Sequence, residues 1–160
     1  MHRKFLGLGG SLLLGLAPVQ AEVISGRPVH TWVRTESKTV LIDQKATTLF
    51  PRANFTCRKT CALRITLNAA LVIDDPETTI YAEVLVNDDG AGIYPFDLVP
   101  LVQNLPFGSF RAPLSWTWVT TMREPGSMLD LDITLFTNGK TIQVNSRSVT
   151  VEVLESDVPG

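Results

Sequence analysis

Trp116 and Trp118 stand two residues apart in a run of alternating character. In an extended strand that spacing sends both rings to one face. Two aromatic rings side by side can stack on sugar rings, because indole combines an apolar body with a polar edge. The pair is therefore a candidate ligand platform for a polysaccharide. Leu114 and Met122 share its parity, while Ser115, Thr117 and Thr121 take the other. That partition predicts a tryptophan face turned toward a core, with the platform as the alternative.

Other chemistries find less to work with. A serine triad would have to use His30, the one histidine beyond the N-terminal segment, and no Gly-x-Ser-x-Gly elbow presents a nucleophile. Glycoside hydrolysis needs only two carboxylates facing a groove, and Glu83, Asp88, Asp97, Asp130 and Asp132 are of the right type. Asp130 and Asp132, however, fall on the wet parity of an alternating strand. An EF-hand loop fails at Gly90: aligned on that glycine, the first and last ligand positions are Leu85 and Phe96. Calcium keeps one route, if Asp74-Asp75-Pro76-Glu77 and Asn87-Asp88-Asp89 meet as neighbouring loops at one end of the fold. The expectation is a non-catalytic protein with no cofactor and no resident metal.

The start of the chain resembles no folded element. Arg3 and Lys4 precede an uncharged apolar run, Phe5 to Leu16, then Pro18 and Val19-Gln20-Ala21. This is the layout of a secretory signal peptide, with cleavage expected after Ala21. A membrane anchor is the competing reading, but about a dozen apolar residues fall short of the roughly 20 that span a bilayer. Residues 22–160 are then one domain, secreted or periplasmic, with no transmembrane segment after cleavage. Loss of Arg3 and Lys4 takes the net charge from −2 to −4. A mildly acidic chain without clustered Lys and Arg excludes the phosphate grip that nucleic-acid binding requires.

In an exported chain the two cysteines, Cys57 and Cys61, are expected to form a disulfide. So short a bridge fastens a turn, removing about 2 kcal/mol of unfolded-state freedom. A redox or metal role is the alternative, though redox pairs have two intervening residues rather than three, and zinc asks for four ligands.

The elements that must position these residues are strands. From Cys61 to Ile73, apolar residues occupy every second position before Asp74-Asp75-Pro76 ends the run. Residues 79–87, 114–122 and 129–135 alternate likewise. Val29–Arg34, Thr39–Ile42 and Ala46–Phe50 read as shorter strands, and 91–113 as a long connection with one strand around Asp97–Val102. Asn87-Asp88-Asp89-Gly90 reads as a turn with Gly90 free to take positive φ. Asn138-Gly139 reads as a hairpin. The parity of Ile142 and Val144 differs from that of Val149, Val151 and Val153, which predicts a bulge or break between Asn145 and Ser148. Seven to nine strands and no helix predict an all-β, two-sheet antiparallel sandwich, immunoglobulin-like or jelly-roll, with a closed barrel as the alternative.

The run Cys61–Val86, with Ile80-Tyr81-Ala82-Glu83-Val84-Leu85-Val86-Asn87-Asp88, resembles secreted bacterial β-sandwich domains of unassigned role. Phe110–Val119 and Ser146–Val153 resemble their later strands. The resemblance implies the sandwich and an exported bacterial setting, and carries no functional residue. It departs at Asn87-Asp88-Asp89-Gly90, where those domains have a single Asp-Gly. The expected role is an exported interaction or structural module, whose partner is an unknown protein or polysaccharide outside the cytoplasm. The alternatives are a carbohydrate-binding sandwich using Trp116 and Trp118, and a calcium-stabilised adhesion-type domain. Asn54-Phe55-Thr56 is a glycosylation sequon, relevant only in a eukaryotic secretory pathway.

Overall fold

Alternation of apolar and polar side chains governs the whole structure, a computed structural model described over residues 27–75, 77–90, 92–94, 99–102 and 110–156. The expected signal peptide and its cleavage site lie outside the described residues. Among the described residues eleven strands form: β1 (Arg27–Glu36), β2 (Val40–Ile42), β3 (Thr47–Thr48), β4 (Ala53–Thr56), β5 (Cys61–Ile73), β6 (Ile80–Val86), β7 (Ile93–Tyr94), β8 (Val99–Val102), β9 (Phe110–Thr120), β10 (Met128–Thr137) and β11 (Ile142–Glu155). This exceeds the expected seven to nine. The excess is short: β4 and the two-residue β7 are too brief to show a period.

The strands build a two-sheet antiparallel sandwich. One sheet runs β1-β11-β5-β9-β7, with β2 beside β1 on the same edge of β11; the other runs β3-β10-β6-β8, with β4 beside β3 on the same edge of β10. Apart from the short β1–β2 and β3–β4 steps along one edge, and leaving out the two-residue β7, only β6–β8 joins successive strands within a sheet; the rest cross between sheets. That winding is the jelly-roll order, not the immunoglobulin one.

The crossing corrects the hairpin reading of Asn138-Gly139. β10 and β11 belong to opposite sheets, and neither residue takes positive φ. Gly139 is small for another reason: a Cβ there would meet Thr78 Oγ1 at 2.6 Å and the Thr78 backbone at 3.0 Å. The tight turn lies instead at Asn87 and Asp88, with φ of 58° and 60°, closed by Val86 N donating to Asp89 O at 2.9 Å. Gly90 does not take the positive φ expected of it. Asn tolerates the left-handed region, and its amide replaces ladder bonds here: Asn87 Nδ2 donates to Met128 O, and Asn87 Oδ1 accepts from Asp130 N.

The core is the inward parity of the long strands. Leu63, Ile65, Leu67, Leu71 and Ile73 of β5 are buried against Leu129, Leu131, Ile133 and Leu135 of β10. Each such side chain contributes roughly 1.5–3 kcal/mol by leaving water. Pro113 sits inside β9 opposite Ala70, and among the described residues the side of β9 away from β5 is paired only at Val119 and Thr120, so a proline is tolerated there. The predicted parity change is a register shift between Val144 and Ser146 within a continuous β11. It turns Arg147 inward.

On the outer face of the larger sheet, Arg64 Nε donates to Glu152 Oε2 across the β5–β11 pair. The bond to Arg64 holds the Glu152 carboxyl below its ordinary value. Its stabilising effect is whole at neutral pH and disappears as pH falls through the depressed folded value. Because Arg64 is 43% exposed, the pair contributes about 0.5 kcal/mol. Glu152→Gln should therefore lower the melting temperature slightly at pH 7, with the difference gone in acid below the carboxylate range.

Candidate functional site

The tryptophans do not make an open platform. Trp118, at 1% exposure, and the partly buried Trp116 both point inward from β9, opposite Ile65 and Leu67. Their ring centroids are 6.5 Å apart with planes inclined at 54°. The reason is the parity they share with buried Leu114. Met122, expected on the same face, lies past the end of β9.

The two acidic loops are also separated. Residues 74–77 precede β6 and Asn87–Asp89 follow it, so they sit at opposite ends of a seven-residue strand. Asp75 accepts from Glu77 N and faces Lys140 Nζ at 3.7 Å, and Asp88 is bonded to Arg52. Among the described residues no group of His, Cys, Asp and Glu could hold a metal ion. The calcium route thus loses its geometry, and the melting temperature should be the same in calcium as in a chelator.

Among the carboxylates, Arg52 binds Asp88, Asp130 Oδ2 at 3.2 Å and Asp132 Oδ2 at 3.7 Å. The bond to Asp88 raises the Arg52 pKa further. One guanidinium thus engages all three of these carboxylates. Glu83 lies on the outer parity of β6, opposite Thr134. Asp97 lies outside the described residues.

His30 leads to a different place. It projects from β1 toward the interior side, opposite Val153 of β11. There, at the flank where edge strands β1 and β4 face each other, Val29, His30, Asn54, Phe55, Thr56, Arg58, Val153 and Glu155 line a cleft of about 380 Å³. Its apolar residues are Val29, Phe55 and Val153, with Phe55 braced edge-on by Trp32 at 6.0 Å.

Arg58 reaches the cleft from the five-residue Cys57–Cys61 loop. The expected disulfide is present, with Cα atoms 5.5 Å apart. Backbone bonds clamp the loop on both sides: Cys57 N donates to Ser127 O at 3.0 Å, Gly126 N to Cys57 O at 2.7 Å and Cys61 N to Arg123 O at 2.9 Å. Ser156 N donates to Thr60 O at 2.9 Å, bringing the end of β11, and so Glu155, beside the same loop. The cleft therefore stands on fixed backbone.

Its polar side chains are uncommitted. His30, Asn54, Thr56, Arg58 and Glu155 make no side-chain hydrogen bond or ion pair with any described residue. Arg58 and Glu155 are of opposite charge and line one cleft without pairing. Among the described residues these groups do not bond to one another. No family model matches the chain, and neither does any curated protein or solved structure. The resemblance to exported bacterial sandwiches thus rests on strand pattern alone, and a jelly roll hosts too many activities to name one.

Of the residues singled out in the sequence, the cleft takes His30 and borders the disulfide. Arg58 and Glu155 carried no signal, and Asn54 and Thr56 only that of a sequon, because strand pairing, not local spacing, gathers them. The nearest hint is a basic residue inside a short cysteine loop.

Proposed function

We propose that the protein is an exported, non-catalytic binding module that takes its ligand in the flank cleft between β1 and β4. The observation that carries this reading is the set of uncommitted polar side chains around an apolar floor. Ligand sites combine an apolar lining with a few placed polar groups that fix orientation, and the cleft has both. The export half rests on Arg3, Lys4, the Phe5–Leu16 run and Val19-Gln20-Ala21. N-terminal sequencing of the secreted protein should begin at Glu22.

The test of binding is a thermal-shift screen of small polar and charged probes. A probe at 100 times its Kd adds about 2.7 kcal/mol of stability. At least one probe should raise the melting temperature, and Arg58→Ser should remove that rise. A rise unchanged by Arg58→Ser overturns the assignment.

A second reading is favoured by the outer face of the larger sheet. Thr35, Asn68, Ser115, Ser146 and Ser148 line a shallow groove of about 420 Å³ with Ala70 and Pro113, and these five make no side-chain bond to described residues. Neutral hydroxyls and an amide suit a polysaccharide, without the tryptophans. Under this reading Ser148→Lys abolishes retention on insoluble polysaccharide while Arg58→Ser does not.

A further inference from the structure

The ligand class follows from how the cleft is built, taking the binding reading above as its basis. We infer that the flank cleft recognises a short peptide with free amino and carboxyl termini and apolar side chains. Four features point the same way.

The first is charge. Arg58 offers a planar fork of N–H donors suited to a carboxylate, and Glu155 accepts from an ammonium. Because neither has an ion-pair partner among the described residues, a ligand carrying both charges satisfies both at once. A ligand with one charge leaves the opposite group unsatisfied, and one with none satisfies neither.

The second is backbone. Among the described residues β1 pairs only with β11, and β4 only with β10. Each therefore turns an unpaired strand edge outward, and such an edge bonds an extended peptide main chain. A sugar has no matching row of alternating N–H and C=O groups.

The third is the floor. Phe55, Val29 and Val153 give apolar surface, and Val29 is 54% exposed. That suits side chains such as leucine or valine better than polyol rings. The fourth is size. A cleft of about 380 Å³ lies near the small end of the roughly 300–1,000 Å³ range of ligand sites, which fits a dipeptide. Asn54 and Thr56 supply neutral donors and acceptors for the central amide.

The experiment is calorimetric titration of the full secreted chain with four probes: leucyl-leucine, its N-acetyl form, its C-terminal amide, and a neutral cello-oligosaccharide. Leucyl-leucine should bind, and capping either end should weaken it about ten-fold or more. In Arg58→Gln the free dipeptide and its amide should bind alike; in Glu155→Gln the free and N-acetyl forms should bind alike. Both substitutions are at the cleft rim, and unchanged circular dichroism separates lost binding from lost fold. If both capped forms bind as well as leucyl-leucine, the zwitterion inference is wrong while the cleft remains a binding site. The same holds if only the saccharide binds and Arg58→Gln weakens it. If no probe binds, or if binding is indifferent to both substitutions, the zwitterion inference and the binding reading fall together.

Discussion

Trp118→Ala should cost about 3–5 kcal/mol of folding stability, the range for truncating a buried aromatic residue. Trp118 is among the largest fully buried side chains, at 1% exposure. It packs inward from β9, paired across the strands with Ile65 and tilted against Trp116 at 6.5 Å. Removing the indole opens a cavity that flanking β-strands cannot close without breaking their ladder. For a domain whose total stability is about 5–15 kcal/mol, the loss is a large fraction. In urea denaturation the midpoint should fall with the slope unchanged. A ring that served as a ligand platform would give the opposite pattern, with binding lost and stability nearly intact. Tryptophan emission from a Trp32→Phe variant should accordingly be blue-shifted, with the Trp118 component resistant to acrylamide.

Arg147→Met should cost about 2–4 kcal/mol, a large effect for a polar residue. Arg147 is 8% exposed. Its Nε donates to Leu49 O at 2.9 Å and its Nη1 to Lys38 O at 2.8 Å, while the guanidinium lies 5.6 Å from the Phe50 ring centroid. One side chain thus ties the β1–β2 and β3–β4 connections to β11. Burial pulls the guanidinium pKa below its ordinary value, and the charge of Glu36 acts against that pull. Methionine keeps much of the volume but leaves two carbonyls without their charged donor. A lost bond to a charged group costs roughly 1.5–3 kcal/mol. Arg147→Lys should recover only part, since one ammonium cannot reproduce the two-pronged geometry. Urea denaturation measures the total. Faster amide exchange at Thr47–Phe50 would locate it.

These two residues also show what the sequence makes readable. The face of Trp118 follows from its parity with Leu114, and the long strands β5, β6 and β10 follow from the same period-two rule. The inward turn of Arg147 does not. Val144 and Val149 reveal that parity changes between them, but not which residue the register shift leaves inside. The Asn138-Gly139 reading failed for a related reason. A dipeptide reports local bending, whereas pairing depends on which sheet the next strand joins, and here almost every connection changes sheets. The turn at Asn87-Asp88-Asp89-Gly90 is readable, but the residues that take positive φ are Asn87 and Asp88 rather than the glycine. The cleft is least readable of all. His30, Arg58 and Glu155 converge only through the β1–β11 register and the bond from Ser156 to Thr60, and no local spacing in the chain encodes either.

The most direct test of the account is an amide chemical-shift map of the labelled chain titrated with a mixed set of dipeptides and neutral oligosaccharides. Cleft binding predicts shifts that saturate at His30, at Asn54–Arg58 and at Val153–Glu155, with the outer sheet face unchanged. Saturating shifts confined to Thr66–Ala70, Ser115–Thr117 and Ser146–Ser148 would contradict it and move the site to the hydroxyl-lined groove.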